Sequence, residues 1–117
     1  MRTLLPVSAL LVAMAGANPA NAHAFLDHAD PRVGSTVASA PHELTLSFTQ
    51  NLEPAFSTVE VTGPSGTVSA GKPQISGNTM RVGLKALSPG TYRVRWRALS
   101  VDTHTTQGSF TFRVGNP

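Results

Sequence analysis

Three observations predict an all-β fold: a small Greek-key β-sandwich or barrel, immunoglobulin-like, with a cupredoxin-like topology as the variant. Short apolar and polar alternations of period two recur along the chain. Glycine and proline turns separate these runs, and no long stretch carries a helical period. About seven such strands in a chain of 117 residues fit one domain with two packed sheets. There is no cysteine, so the Cys…Trp…Cys spacing of true immunoglobulin domains is missing and only the architecture is predicted.

In chain order, residues 1–22 read as a secretory signal. Arg2 supplies the positive start, 4–15 the apolar stretch, and Ala20-Asn21-Ala22 a small-x-small cleavage site that predicts a mature chain beginning at His23. Asn18 and Pro19 interrupt the apolar run, which falls short of the ~20 residues a membrane span needs. The predicted organisation is therefore 1–22 as signal peptide and 23–117 as the β domain.

In the domain, Ala24, Leu26 and His28 alternate with Phe25 and Asp27 as a short first strand. Asp30-Pro31 and Gly34-Ser35 mark turns. Leu44, Leu46 and Phe48 give a strand over 43–49; Pro54 can open a single helical turn; Val59 and Val61 resume the alternation. Gly63-Pro64-Ser65-Gly66 is a turn, 67–70 a weak strand, and Gly71-Lys72-Pro73 a further break. Met80, Val82 and Leu84 mark the next strand, and Ser88-Pro89-Gly90 leads into 91–99, where Tyr92, Val94, Trp96 and Ala98 face a core. Phe110, Phe112 and Val114 mark the last.

Composition excludes several classes. Without cysteine the chain has neither disulfides nor thiolate metal sites. The formal charge of +3 comes from scattered arginines and few acids. A nucleic-acid binder would show a clustered basic patch; Arg93, Arg95 and Arg97 share one strand face, which reads as a solvated sheet surface. No nucleic-acid partner is expected.

The chemistry concentrates between the last two long strands. Asp102-Thr103-His104 places a carboxylate and an imidazole two residues apart, on one side if the chain is extended. Cleavage after Ala22 would give His23 a free α-amine beside its imidazole, a natural chelate. With reference pKa values near 7.7–8.0 and 6.5, both nitrogens yield their protons to a metal at little cost near neutral pH. His23, Asp102 and His104 together offer nitrogen and carboxylate donors without sulfur, a set suited to Cu(II). Each feature also has a plainer reading: a chance histidine after a signal, or an Asx-turn with a solvent-facing imidazole. His28 and His42 have no donor at informative spacing.

The segments HAFLDHADPRVGS, ELTLSFTQNLEPAFSTVEV and LSPGTYRVRWRALSVDTHTTQGSFTFRV, the last with its S-x-D-x-H turn, resemble the CopC family of periplasmic copper-binding proteins over nearly the whole mature chain. The resemblance implies a Greek-key β domain holding one Cu(II) through the terminal His23 with Asp102 and His104. It also implies a non-enzymatic role in periplasmic copper homeostasis or resistance, carrying or buffering copper and delivering it to an inner-membrane transporter of the CopD type. Two departures stand out. The loop after Val61 contains no methionine, so a thioether Cu(I) site is not expected, and Gln50 stands where some relatives have glutamate. Two other functions compete. One is a copper oxidative enzyme with a histidine brace, similar to lytic polysaccharide monooxygenases, disfavoured because Asp102 would fill an equatorial position. The other is a metal-free interaction module.

Overall fold

The computed structural model describes residues 24–115, which form two antiparallel-dominated sheets and one single-turn 3-10 helix. The strands are β1 (Leu26–Asp30), β2 (Thr36–Val37), β3 (Glu43–Phe48), β4 (Thr58–Gly63), β5 (Gly66–Thr67), β6 (Ser69–Ser76), β7 (Thr79–Leu84), β8 (Gly90–Leu99) and β9 (Thr105–Val114). One sheet has the order β1-β3-β7-β6 and the other β2-β9-β8-β4-β5. Consecutive strands repeatedly change sheet, as in a Greek key, and the order is that of an immunoglobulin-like sandwich. The 3-10 turn is Pro54–Phe56, with proline at its first position as expected.

The alternations place the core. Leu44, Leu46 and Phe48 of β3 and Met80, Val82 and Leu84 of β7 face Val59 and Val61 of β4, Tyr92, Val94, Trp96 and Ala98 of β8, and Phe110, Phe112 and Val114 of β9; all are buried. Phe48 and Trp96 meet edge to face across the two sheets, ring centroids 5.1 Å apart at 74°, an arrangement worth roughly 0.5–1.5 kcal/mol beyond area burial. Tyr92 stacks on its cross-strand partner Phe112 at 5.6 Å. Its hydroxyl donates to the Ser88 carbonyl at 2.6 Å, the corner bond that sandwiches of this type use to fix the entry to the strand.

Two glycines are required by close approach. A Cβ on Gly108, which pairs with Trp96, would lie 2.6 Å from the indole; one on Gly63 would lie 2.3 Å from the Tyr92 ring. The two largest aromatic side chains of β8 thus fill space that neighbouring strands leave empty.

The structure differs from the sequence pattern at three places. A bulge between Leu26 and His28 shifts β1 by one residue, so Ala29 is buried and His28 points outward, contrary to the simple alternation. Gly71-Lys72-Pro73 is not a break between elements. It is an irregularity inside β6, which pairs with β7 on both sides of it and leaves Pro73 unpaired, where its missing N–H is harmless. Finally, β9 begins at Thr105, well before its apolar alternation, because residues 105–109 continue in register against 95–99 of β8.

Candidate metal centre

β8 and β9 form a ten-pair antiparallel ladder from Gly90↔Val114 to Leu99↔Thr105, and the turn that joins them carries Asp102 and His104. This turn is anchored from inside. Along β8 the inward positions are Trp96 and Ala98, and the next of that parity is Ser100, which is completely buried. The Ser100 backbone N–H donates to the His104 carbonyl at 3.0 Å, and Thr103 N–H donates to the Ser100 carbonyl at 2.9 Å. The Ser100 hydroxyl donates to Asp102 Oδ1 and also lies 3.2 Å from the His104 carbonyl. One buried hydroxyl therefore ties together both ends of the turn.

Asp102 and His104 do meet, but not by the extended geometry that their spacing suggests. Thr103 takes a left-handed conformation, φ 74°, which a β-branched residue adopts only at a cost. The chain folds back there, bringing His104 Nδ1 to 3.5 Å from Asp102 Oδ1, with the two side chains 53% and 40% exposed. The Ser100 hydroxyl, and after it the imidazole and backbone N–H of His104, hold the Asp102 carboxyl below its ordinary range against a smaller burial penalty. The N–H contribution has the form of an Asx-turn. So the plainer sequence reading describes the turn correctly, yet the turn also presents an ionised carboxylate and an imidazole side by side to solvent.

Neighbouring segments close around this end of the sandwich. Val101 N–H donates to the Asn51 carbonyl at 3.1 Å and Glu53 N–H to the Leu99 carbonyl at 2.8 Å, while Leu52 bridges Ser100. Gln50 is thus one residue from the segment bonded to the turn and is half-buried. The start of the described chain lies here too: Thr106 Oγ1 donates to the Ala24 carbonyl, Ala24 is fully buried, and Phe25 and Thr49 exchange bonds of 2.9 Å in both directions. His23, the third expected donor, lies outside the described residues, as does the predicted signal segment. Among the described residues no three His, Cys, Asp or Glu side chains converge on one point, so any metal held at Asp102 and His104 needs a further donor.

The remaining histidines are elsewhere. His28 is exposed on β1 and pairs with Asp27 Oδ2 at 3.1 Å. His42 precedes β3, at the opposite end of that strand from Thr49, where its carbonyl accepts from Leu84 N–H. Sequence reasoning missed Ser100. The signal was available, since its parity with Trp96 and Ala98 places it inward, where a hydroxyl must find partners.

A model of the CopC domain matches residues 26–115, nearly every described residue. The chain belongs to the CopC family. Protein YobA of Escherichia coli strain K12 is 36% identical over 98 residues, covering 80% of this chain and 79% of that protein, and the Shigella flexneri protein of the same name matches equally. Among solved structures, CopC from Methylosinus trichosporium OB3b superposes with a TM-score of 0.73 at 28% identity, covering 80% of this chain and 94% of that one. PcoC from Escherichia coli, described as a methionine-rich copper resistance protein, gives 0.69 at 35% identity, covering 79% and 98%. The all-β sandwich is common to this chain and both solved structures, and a CopC-family protein is not an enzyme. Unlike a methionine-rich relative, this CopC-family chain has only Met80 beyond its first 22 residues, and that side chain is fully buried.

Proposed function

We propose that this protein is a periplasmic copper carrier or buffer that binds one Cu(II) through the amine and imidazole of His23 with Asp102 and His104. It serves copper resistance or homeostasis, and hands its cargo to an inner-membrane transporter of the CopD type. The observation that carries this reading is a convergence at one end of the sandwich. Asp102 and His104 share a turn locked by Ser100, and Ala24, to which His23 is bonded, is tied to Thr106 two residues after His104. Family membership supports copper as the cargo, and the PcoC likeness supports resistance as the context.

The donor chemistry favours the oxidised ion. Imidazole, amine and carboxylate suit Cu(II), whereas Cu(I) prefers thiolate or thioether, and the one methionine of the domain is in the core. The donors at the turn are half-exposed, which suits a cargo that must be surrendered to a partner. Cleavage after Ala22 is part of the reading, because the terminal chelate exists only once the peptide bond to His23 is cut.

The decisive experiment is mass spectrometry of the exported protein loaded with copper. A first residue of His23 and one copper per chain are expected. A chain that starts elsewhere and still binds one Cu(II) with equal affinity would remove the terminal chelate.

A further inference from the structure

The outer face of the five-stranded sheet carries a charge pattern that the metal centre does not use. The alternation that buries Tyr92, Val94 and Trp96 turns Arg93, Arg95 and Arg97 outward, all three exposed. Successive outward positions on a strand are only about 7 Å apart, so these guanidinium groups form a row well within one another's fields. Arg113 on β9 adds a fourth, donating to Thr91 Oγ1 at 2.9 Å. Glu60 lies opposite Arg95 in register. Among the described residues, however, no carboxylate comes within ion-pair distance of any of the four arginines. Like charges packed this closely repel, and Glu60 is the one carboxylate placed opposite them in register.

We propose that this face docks on an anionic phospholipid surface. It is a plane of sheet rather than a groove, and arginine at alternate positions presents planar forks that match phosphate oxygens. The sheet ends in strands of two residues each, β2 and β5, which offer little edge for a partner's strand. At the Arg97 end the face continues into a shallow depression shared with Phe56, an aromatic side chain 65% exposed. An exposed aromatic beside a basic row is the pairing found at headgroup level in interfacial proteins. An acidic protein segment would use the same charges, but the depressions on this face, beside Arg95 and beside Arg97, are open and shallow and enclose no anchor side chain. Docked this way, the molecule lies on its sheet, with the Asp102 and His104 turn at the margin of the contact. The proposal does not depend on which metal that turn binds.

The test is sedimentation of the metal-free protein, as the cell processes it, with vesicles of phosphatidylcholine alone or mixed equally with phosphatidylglycerol. Binding to the mixed vesicles only is expected, with release as salt shortens the screening length toward ~3 Å near 1 M. The triple variant Arg93→Gln, Arg95→Gln, Arg97→Gln should lower the partition coefficient about 100-fold, and Arg95→Gln alone about 5-fold. A charge-matched control, Arg32→Gln, Arg81→Gln, Lys85→Gln, should retain most of it. Arg95→Gln carries the test if the first triple variant does not fold. Equal binding by the two triple variants, or no binding of the unaltered protein to the mixed vesicles at low salt, overturns the proposal. So does retention on immobilised polyglutamate without vesicle binding, which would assign the face to an acidic protein.

Discussion

Ser100 shows how one side chain can shape a site it does not enter. Its hydroxyl is buried and bonded to Asp102 Oδ1, so Ser100→Ala removes the largest influence lowering the Asp102 carboxyl. Carboxyl NMR titration should show that pKa rising toward the ordinary carboxylate range, and Cu(II) competition should show weaker binding with the fold retained. The sign of the pH effect follows from the direction of the shift. A carboxyl depressed in the folded state adds stability that is fully present above its unfolded pKa and is lost as pH falls through the folded one. Asp102→Asn should therefore lower apo-stability by a constant amount above about pH 4, and the difference from the unaltered protein should shrink as pH falls below that. Copper release should begin at higher pH, as protons compete for amine and imidazole. Thr103 makes a separate prediction: Asn tolerates the left-handed conformation better, and Thr103→Asn should stabilise the apo-protein by up to ~1 kcal/mol in denaturant titrations.

The β8–β9 hairpin joins core to site, and its mutations should sort accordingly. Trp96→Ala removes the edge-to-face partner of Phe48 and should cost roughly 3–5 kcal/mol. His104→Ala, on an exposed turn, should cost far less while weakening copper binding. Gly108→Ala forces a methyl against the indole and should cost about 1–3 kcal/mol by overpacking. Thermal and denaturant melts of the three apo-proteins decide the ranking. β3, β7 and β8 were legible in the sequence because each buries one face and repeats a large apolar residue at every second position. The first half of β9 was not, since Thr105, Thr106, Gln107, Gly108 and Ser109 have no apolar period and are strand only because β8 pairs with them. β2 and β5 are too short for a period to exist, and the β1 bulge is set by its partner strand. At the site, the residue types of Asp102 and His104 were legible and the left-handed Thr103 that brings them together was not.

At the scale of the molecule, metal binding and fold stability are one equilibrium. Cu(II) at about a hundred times its Kd should add roughly 2.7 kcal/mol, which for a domain of this size raises Tm on the order of 10 °C. Cu(I) should give little shift, and a residue or tag left before His23 should abolish most of the Cu(II) shift; calorimetry checks each case. Charge is uneven as well: the four-stranded sheet sets Asp27, Asp30 and Glu43 against Lys72 and Arg81, while the five-stranded sheet sets Arg93, Arg95, Arg97 and Arg113 against Glu60 alone. The single tryptophan of the chain has its own place in this layout. Trp96 is three residues before the end of β8, roughly 10 Å along the strand from the turn that carries Asp102 and His104. Its indole, packed between Gly108 and Phe48 and 9% exposed, should emit at short wavelength, and a Cu(II) ion bound at the turn would be near enough to quench it. With copper held at that turn as proposed, Trp96 would serve as an internal optical gauge, in which the light lost reports occupancy without any added dye.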